Sequence, residues 1–590
     1  MTELSERADQ VRPRRVPGVE ARAGRFPGPS LIPALNAIQE RMGWLPREEL
    51  EELARDTRRP RYEIEGLVSF YPHFRTSPPA KVALSVCRDL TCWLHAGAER
   101  IAALRQRYGD DADVELVEVS CLGRCDIAPA AAVNEHPATV SALDALDALV
   151  AAAREAGVGH AEPTASGRTQ PWPNDPYPAG SGVAQRYATL RALLGGQLDP
   201  DDVVAVLAES GLRGMGGAGF PTGKKWELVR AAEPGGVKYA ICNADESEPG
   251  TFKDRQILAD QPHLVLEGLL LGMAVVGAEQ GWVFIRHEYG PEERVLRAEL
   301  AALRAAGVVG PDACGSGRRL EVDIFTSPGG YILGEETALI ECMEGHRGEP
   351  RNKPPFPGTY GLHGRPTLMN SVETFADVPV ILTRGAQWWR DQGRGQAVGW
   401  KFFAVSGHVQ RAGVYCVPMG TTVRELIARA GGVSGGAGVG AVQPGGASSN
   451  FIGPDQLDLP LDFAPLAEAG TMLGSGALVV LAEGTDLLTA ATNVLRFFRN
   501  ESCGKCVPCR VGSTKAHELL TGVLAAGSSR LDEAQHARVL QLEEAMRKTS
   551  ICGLGQVALG PVVSVLGLDK GGASARPQPR PDGAPEQPTR

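Results

Sequence analysis

Three absences narrow the reading first. The opening residues are polar and arginine-rich, with no apolar segment of the kind a secretory signal needs. Long hydrophobic runs are missing too. The most apolar stretch, around Leu264–Val276, is interrupted by Glu267 and Glu279, which leave 11 uncharged positions between them, too few to cross a bilayer. Both absences predict a cytoplasmic protein with no membrane span of its own. Basic excess is absent as well. With 60 Lys and Arg against 70 Asp and Glu, the net charge is -10, which argues against nucleic acid as the main partner. What remains is a chain of 590 residues, 43% hydrophobic and 22% charged, which fits a soluble protein of several globular domains.

The densest signal is Ser210 to Trp226, S-G-L-R-G-M-G-G-A-G-F-P-T-G-K-K-W. Gly211, Gly214, Gly216, Gly217 and Gly219 fall together there, and Lys224 and Lys225 follow. Glycine loses more backbone entropy on folding than any other residue, so such a run marks a close backbone approach to a ligand. The adjacent lysines point to an anionic ligand, most simply a phosphate. A flexible linker is the alternative, but the run has no serine padding and is bounded by Leu212, Phe220 and Trp226. It matches neither G-x-x-x-x-G-K-[ST] nor a clean strand, G-x-G-x-x-G, helix pattern.

The 12 cysteines fall into two clusters and four scattered positions. Cys87 and Cys92 form C-x4-C, and Cys121 and Cys125 form C-x3-C, with 28 residues between the pairs. Alternation at Val82, Leu84 and Val86 and a second strand at 114–119 place both pairs just past strand ends. Four such thiolates suit zinc or a [2Fe–2S] cluster. Cys503, Cys506 and Cys509 make C-x2-C-x2-C, and Cys552 follows after 42 residues, which is a [4Fe–4S] pattern with zinc as runner-up. Clustered cysteines in a chain without an export signal read as metal ligands. Cys242, Cys314, Cys342 and Cys416 read as small buried hydrophobes.

In order, residues 1–27 read as a mobile tail and 28–78 as a small helical unit, with Pro46 in the first turn of its second helix. A compact α/β domain spans 79–157, and 158–185 is a proline-rich linker. A strand from Lys238 to Cys242 leads to N-A-D-E-S-E-P-G-T-F-K-D. Asn243, Asp245, Glu246 and Glu248 thus lie past a strand's C-terminal end, where open α/β sheets bind ligands. Further strands are Trp282–Arg286 and Leu320–Phe325. Gly334 then precedes a helix whose first turn holds Glu335 and Glu336, where the helix dipole alone favours acids. From Lys401 the pattern is β-rich, with a capping box at Thr422 and Glu425. A helical stripe from Leu487 to Phe498 leads to the cysteine triple.

Two resemblances draw these pieces together. V-C-R-D-L-T-C, S-C-L-G-R-C-D-I-A-P and the preceding S-F-Y-P-H-F resemble the thioredoxin-like ferredoxin family. G-L-R-G-M-G-G-A-G-F-P-T-G-K-K-W, C-N-A-D-E-S-E-P-G-T-F-K-D-R, G-E-E-T-A-L and K-P-P-F-P, in that order, resemble the flavoprotein subunit of the NADH dehydrogenase module of complex I. The resemblance implies an α/β multidomain chain. Its parts are a thioredoxin-like [2Fe–2S] domain at 79–157, a Rossmann-like FMN- and NAD-binding domain at 186–390, a β-grasp (soluble-ligand-binding) domain at 391–485 and a helical [4Fe–4S] domain at 486–568, with a disordered tail at 569–590. It implies FMN, NAD(H), one [2Fe–2S] and one [4Fe–4S] cluster as cofactors. Gly214, Gly216, Lys225, Asn243, Asp245, Glu246, Gly334, Glu335, Glu336 and Asn370 should line FMN. Phe220, Glu248, Lys353 and Phe356 should contact the dinucleotide. Cys87, Cys92, Cys121 and Cys125 should hold one cluster, and Cys503, Cys506, Cys509 and Cys552 the other.

The chain departs from the commonest family pattern at Met215 (arginine is frequent), Leu228 (aromatic), Leu333 (cysteine) and Ser371 (asparagine). The implied activity is a diaphorase: hydride exchange between NAD(H) and FMN, then single-electron transfer through the clusters to or from a larger redox subunit. The fused layout, with S-I-C-G-L-G-Q near the end, is most similar to β subunits of NAD-dependent formate dehydrogenases. The same module of complex I or of a NAD-reducing hydrogenase is the alternative. A non-enzymatic zinc- and ligand-binding scaffold is the second alternative.

Overall fold

The computed structural model describes residues 30–156, 172–233 and 235–568. The expected tails at 1–27 and 569–590, and the linker from 158 to 171, lie outside the described residues.

Three helices open the described chain, Ile32–Met42, Arg47–Thr57 and Arg61–Val68. Pro46 and Pro60 are N-caps of the second and third, so Pro46 lies one position outside the expected first turn. Their buried residues Leu35, Leu50, Ile64 and Leu67 join one core with Leu333, Leu339 and Phe498 from much later in the chain. The Tyr71 hydroxyl donates to the His346 carbonyl at 2.6 Å. The helical unit is therefore anchored on the body of the molecule.

The first sheet holds β1 (Val82–Cys87), β2 (Val114–Val119), β3 (Ala130–Val133) and β4 (His136–Thr139), in the order β2-β1-β3-β4. β1 and β2 run parallel, and β3 is antiparallel to both β1 and β4, which is the thioredoxin-like arrangement. Helices Gly97–Tyr108 and Leu143–Ala156 complete this domain.

The second sheet is fully parallel, ordered β7-β6-β5-β8, from β5 (Tyr239–Ala244), β6 (Gln280–Arg286), β7 (Glu321–Ser327) and β8 (Thr367–Ser371). β5 and β7 run two residues further than their expected ends. Asn243 and Ala244 pair with Phe284 and Ile285, so Asn243 belongs to the strand and not to the turn beyond it. Helix Pro262–Val276 is buried at every position. Its Gly268 is required by close approach, because a Cβ there would sit 1.9 Å from the Phe375 carbonyl oxygen of helix Val372–Arg384. Glu267, the acid within this apolar helix, accepts from Tyr177 Oη at 2.7 Å and the Leu190 amide at 3.3 Å.

Tyr177 belongs to the segment expected to be a linker. Its described part is a strap: Trp172 Nε1 donates to Asp260 at 2.8 Å and its ring meets Phe402, while Asn174 pairs with Gln261. Its prolines suggested a spacer, but two aromatic anchors bind it to the body of the fold.

The third sheet, order β10-β9-β12-β11, comprises β9 (Trp400–Gly407), β10 (Gly413–Pro418), β11 (Val439–Gln443) and β12 (Ala477–Ala482). β9 is antiparallel to β10 and parallel to β12, and helix Val423–Arg429 begins with the expected Thr422–Glu425 capping box. Helices Leu487–Asn500, Val507–Ala525, Glu533–Thr549 and Gly560–Leu568 form the C-terminal bundle. Among the described residues, no helix is long and apolar enough to cross a membrane.

Candidate active site at the C-terminal edge of the parallel sheet

Strand register creates the site. Cys242 of β5 lies opposite Asn370 of β8, and Asn243 opposite Ser371, so both asparagines reach the carboxyl edge of the sheet. Asn243 Nδ2 donates to the Gly334 carbonyl at 2.9 Å, and its Oδ1 accepts from the Asp245 amide. Asn370 Oδ1 accepts from Trp226 Nε1 at 3.2 Å. Lys225 Nζ reaches the Met369 carbonyl at 3.0 Å. Two asparagines and a lysine thereby fasten the glycine-rich loop, the 245–248 turn and the Gly334 turn to one edge.

The glycine-rich segment is a closed loop and not a linker. Arg213 bridges Pro221, the Gly214 amide donates to the Phe220 carbonyl at 2.8 Å, and Arg213 Nε donates to the Gly219 carbonyl at 2.6 Å. It runs straight into helix Thr222–Ala231. A Cβ at Gly216 would meet Ser371 at 3.0 Å, so the loop lies directly on the sheet edge. Met215 is buried and donates its amide to Thr374, and buried Lys401 of β9 reaches its carbonyl at 3.3 Å. Leu228 is 49% exposed. Phe220 is half-buried and Phe356 is 42% exposed, so both rings are accessible to an incoming ligand.

The carboxylates divide by partner. Glu335 is the N-cap of helix Glu336–Met343, where it accepts from the Thr337 and Ala338 amides; it was expected inside the first turn. Its other oxygen takes Lys353 Nζ at 3.0 Å, and Lys353 also reaches Glu336 at 3.4 Å. Glu246 accepts the Asp254 and Arg255 amides and the Tyr289 hydroxyl. Burial pushes Glu246 up to about 7. Burial does the same to Asp245, up to about 7, despite the opposing Arg286. Asp245 Oδ1 and Thr222 Oγ1 are buried without a hydrogen-bond partner among the described residues. An acceptor orphaned beside a glycine-rich loop fits a hydroxyl-bearing, phosphorylated ligand. Glu248 is held from the β-grasp domain by Ser448 and Ser475, and a Cβ at Gly446 would meet its carboxyl carbon at 2.9 Å.

Both cysteine sets border this edge. Cys87, Cys92, Cys121 and Cys125 are free and buried, with Cys121 and Cys125 sulfurs 3.8 Å apart. The Gly123 amide donates to Cys121 Sγ and the Ala130 amide to Cys92 Sγ, both at 3.3 Å. In the second set, Cys503 and Cys506 are half-buried, while Cys509 and Cys552 are buried. Burial pushes the Cys509 thiol to about 11 and Cys552 to about 12, so thiolates there need a cationic centre to compensate them. Among the described residues, the one group of three or more potential ligands drawn within 4.8 Å of one another is Glu341, Glu344 and His346. Neither cysteine set, among the described residues, draws three sulfurs within 4.8 Å of one another. Of the scattered cysteines, Cys242 and Cys342 are buried, but Cys314 and Cys416 are only half-buried.

Several residues at the site were assigned no ligand from the sequence. Arg286, Arg255 and Tyr289 hold the 121–126 loop against the 245–248 turn. Lys253, Glu373 and Lys401 form a buried ionic chain beneath the glycine-rich loop, with Glu373 receiving Lys253 at 2.8 Å and Lys401 at 2.9 Å. Single charges inside helices and strands give no local signal; only the assembled fold brings them together.

Comparison with known proteins decides the family. Residues 207–380 match the Nuo51 FMN-binding domain, 25–154 the thioredoxin-like [2Fe-2S] ferredoxin, 402–448 the SLBB domain and 489–568 the iron-sulfur binding region of NADH-ubiquinone oxidoreductase-F. The NADH-quinone oxidoreductase F 2 subunit of Rhizobium meliloti is 46% identical over 337 residues, 57% of this chain and 79% of the relative. The chain belongs to the family of NADH-quinone oxidoreductase F subunits. The F subunit of Aquifex aeolicus is 43% identical over 61% of this chain and 82% of its own. Another relative is NADP-reducing hydrogenase subunit HndC of Solidesulfovibrio fructosivorans, 40% identical over 62% of this chain and 74% of its own. A chain in the crystal structure of NAD+-reducing [NiFe]-hydrogenase in the H2-reduced state superposes with TM-score 0.79 and 31% identity, covering 91% of each chain. This member of the family is accordingly an NADH dehydrogenase that uses FMN, one [2Fe–2S] and one [4Fe–4S] cluster. The zinc scaffold reading falls with that finding.

Proposed function

We propose that FMN and NADH share the sheet edge just described, and that the two cysteine sets hold the clusters on either side of it. Gly214, Gly216, Lys225, Asn243, Asp245, Glu246, Gly334, Glu335, Glu336 and Asn370 would contact FMN. Phe220, Glu248, Lys353 and Phe356 would contact the dinucleotide. One observation carries this reading. The glycine-rich loop, the Gly334 turn and the 245–248 turn with its unpartnered Asp245 Oδ1 meet at one sheet edge, and Arg286 ties the Glu246 carbonyl there to the carbonyl of Cys121.

Bound FMN supplies the conversion between a two-electron hydride and single electrons. The chain supplies position and charge. Glycine-rich backbone and Lys225 hold an anionic phosphate. Asp245 offers its unpartnered oxygen to a ribityl hydroxyl. Lys353 offsets one of the two negative charges of Glu335 and Glu336, which lowers their repulsion of an anionic dinucleotide. Phe220 and Phe356 offer faces for stacking. No side chain has to act as general acid or base. Substituting Cys503→Ser should abolish the [4Fe–4S] electron paramagnetic resonance signal while FMN remains bound; retention of that signal would refute the ligand assignment.

The partner that exchanges electrons with this chain is a larger redox subunit, and the fused layout supports the catalytic subunit of a cytoplasmic NAD-dependent formate dehydrogenase. A hydrogenase partner is favoured by a different observation, the match along 91% of the chain to a subunit of a NAD+-reducing [NiFe]-hydrogenase. Affinity purification of the tagged chain from its native cells, followed by formate-, hydrogen- and quinone-linked assays, separates them. Formate-dependent NAD+ reduction supports the first reading. Hydrogen- or quinone-linked turnover replaces it.

A further inference from the structure

Between the two loops that border the site sits one fully enclosed guanidinium. Arg286 ends β6 and is 2% exposed. Its Nη2 donates to the Cys121 carbonyl at 2.7 Å, and its Nη1 to the Glu246 carbonyl at 2.6 Å. Nε and Nη2 also clamp the Glu288 carboxylate at 2.9 and 2.7 Å. The fixed fork of an arginine makes all four contacts at once; a lysine ammonium on its flexible stem has no such fork. The neighbouring Tyr289 reinforces the joint. Its hydroxyl donates to Glu246, and its ring fills the space that a Cβ at Gly123 would need, with Cε1 only 2.6 Å away. Gly123 has φ +66°, a conformation that also favours glycine.

We propose that Arg286 is a positioning residue that raises the reduction potential of the [2Fe–2S] cluster while fixing its loop against the 245–248 turn. The inference rests on Cys121 being a ligand of that cluster. Reduction adds one electron, hence one negative charge, to the cluster. A cation donating to the carbonyl of a ligating residue stabilises that added charge, and hydrogen bonding and net charge around a cluster are what set its potential. Glu288 works against this effect, because its carboxylate partly cancels the guanidinium charge at the same place. The side chains of Arg286 and Glu288 are 2% and 22% exposed, so water screens the arginine little.

Opposite signs in two variants make the proposal testable. The holoenzyme is titrated anaerobically with redox mediators, and both clusters are followed by electron paramagnetic resonance. Arg286→Gln should move the [2Fe–2S] midpoint downward while the [4Fe–4S] midpoint stays in place. Arg286→Lys should give a smaller downward shift. Glu288→Gln should move the [2Fe–2S] midpoint upward, and it decides the matter where Arg286→Gln fails to assemble. An unchanged [2Fe–2S] midpoint in an assembled Arg286→Gln protein overturns the proposal, and so does a downward shift in Glu288→Gln. Wild-type protein with FMN but without a [2Fe–2S] signal refutes the ligand assignment beneath it.

Discussion

At the scale of single residues, burial dominates the chemistry at the carboxyl edge of the parallel sheet. Asp245 is raised to about 7 from an ordinary 3.8, first by desolvation. Its folded form therefore binds a proton more tightly than the unfolded chain does. Stability from this group is fully present below the unfolded value and is lost as pH rises through the folded one, from about pH 4 to about pH 7. Deflavinated protein should melt at higher temperature at pH 5 than at pH 8. Asp245→Asn should reduce that difference by the share of Asp245, a few kcal/mol at about 1.4 kcal/mol per pKa unit, and leave the share of Glu246. An asparagine variant that kept the wild-type slope in thermal melts across that range would rule this linkage out. Lys353 gives a second residue-level test. Its side chain is 9% exposed, and its ammonium spans two carboxylates. Lys353→Met leaves their charges facing an anionic substrate, so KM for NADH should rise about tenfold, or about 1.4 kcal/mol, with a smaller change in kcat. An unaltered KM would remove Lys353 from the dinucleotide site. Residues of this kind were legible because they sit in contiguous motifs. Arg286, Lys401 and Glu373 were not, since each is a lone charge in an otherwise regular element, and nothing local says that folding buries it.

At the scale of elements, the parallel sheet works because one helix can press closely on another. Gly268 lies 1.9 Å, at the position of an added Cβ, from the Phe375 carbonyl. Gly268→Ala should therefore separate helices Pro262–Val276 and Val372–Arg384 and cost about 3 kcal/mol, despite the better helix propensity of alanine. A melting temperature equal to wild type would show that the pair can repack. Element types were readable from periodicity, and Cys121 follows the end of β2 as alternation predicts, but Cys87 is the last residue of β1, paired with Val119, and Cys92 lies in a short helix and not in a loop. Ends were read less well. β5 extends through Asn243 because partner strands supply hydrogen bonds that no local pattern reveals. The segment from Trp172 was read as a spacer because its prolines were counted and the reach of its aromatic side chains could not be.

Across the whole molecule, the ferredoxin-like domain is seated by contacts from three others. The Thr91 and Ser406 hydroxyls meet at 3.1 Å, Arg496 donates to the Arg88 carbonyl at 2.6 Å, and Arg124 pairs both oxygens of Glu292 at 2.9 and 3.0 Å. The last pair is buried on both sides. Glu292→Ala would leave Arg124 enclosed and uncompensated, at a cost of about 3–5 kcal/mol. Amide hydrogen exchange in residues 120–126 should speed up accordingly; unchanged protection would show that this pair does not hold the domain. Such seating matters because, in the proposed arrangement, electrons would cross between the flavin and both cysteine sets. The central claim is that NADH oxidation on this chain reduces its own flavin and clusters. An anaerobic absorption spectrum of the purified protein, before and after adding NADH, tests it most directly. The expected result is a brown protein with a flavin shoulder that bleaches on NADH. A protein whose flavin and iron–sulfur absorption stay unchanged with excess NADH would contradict it.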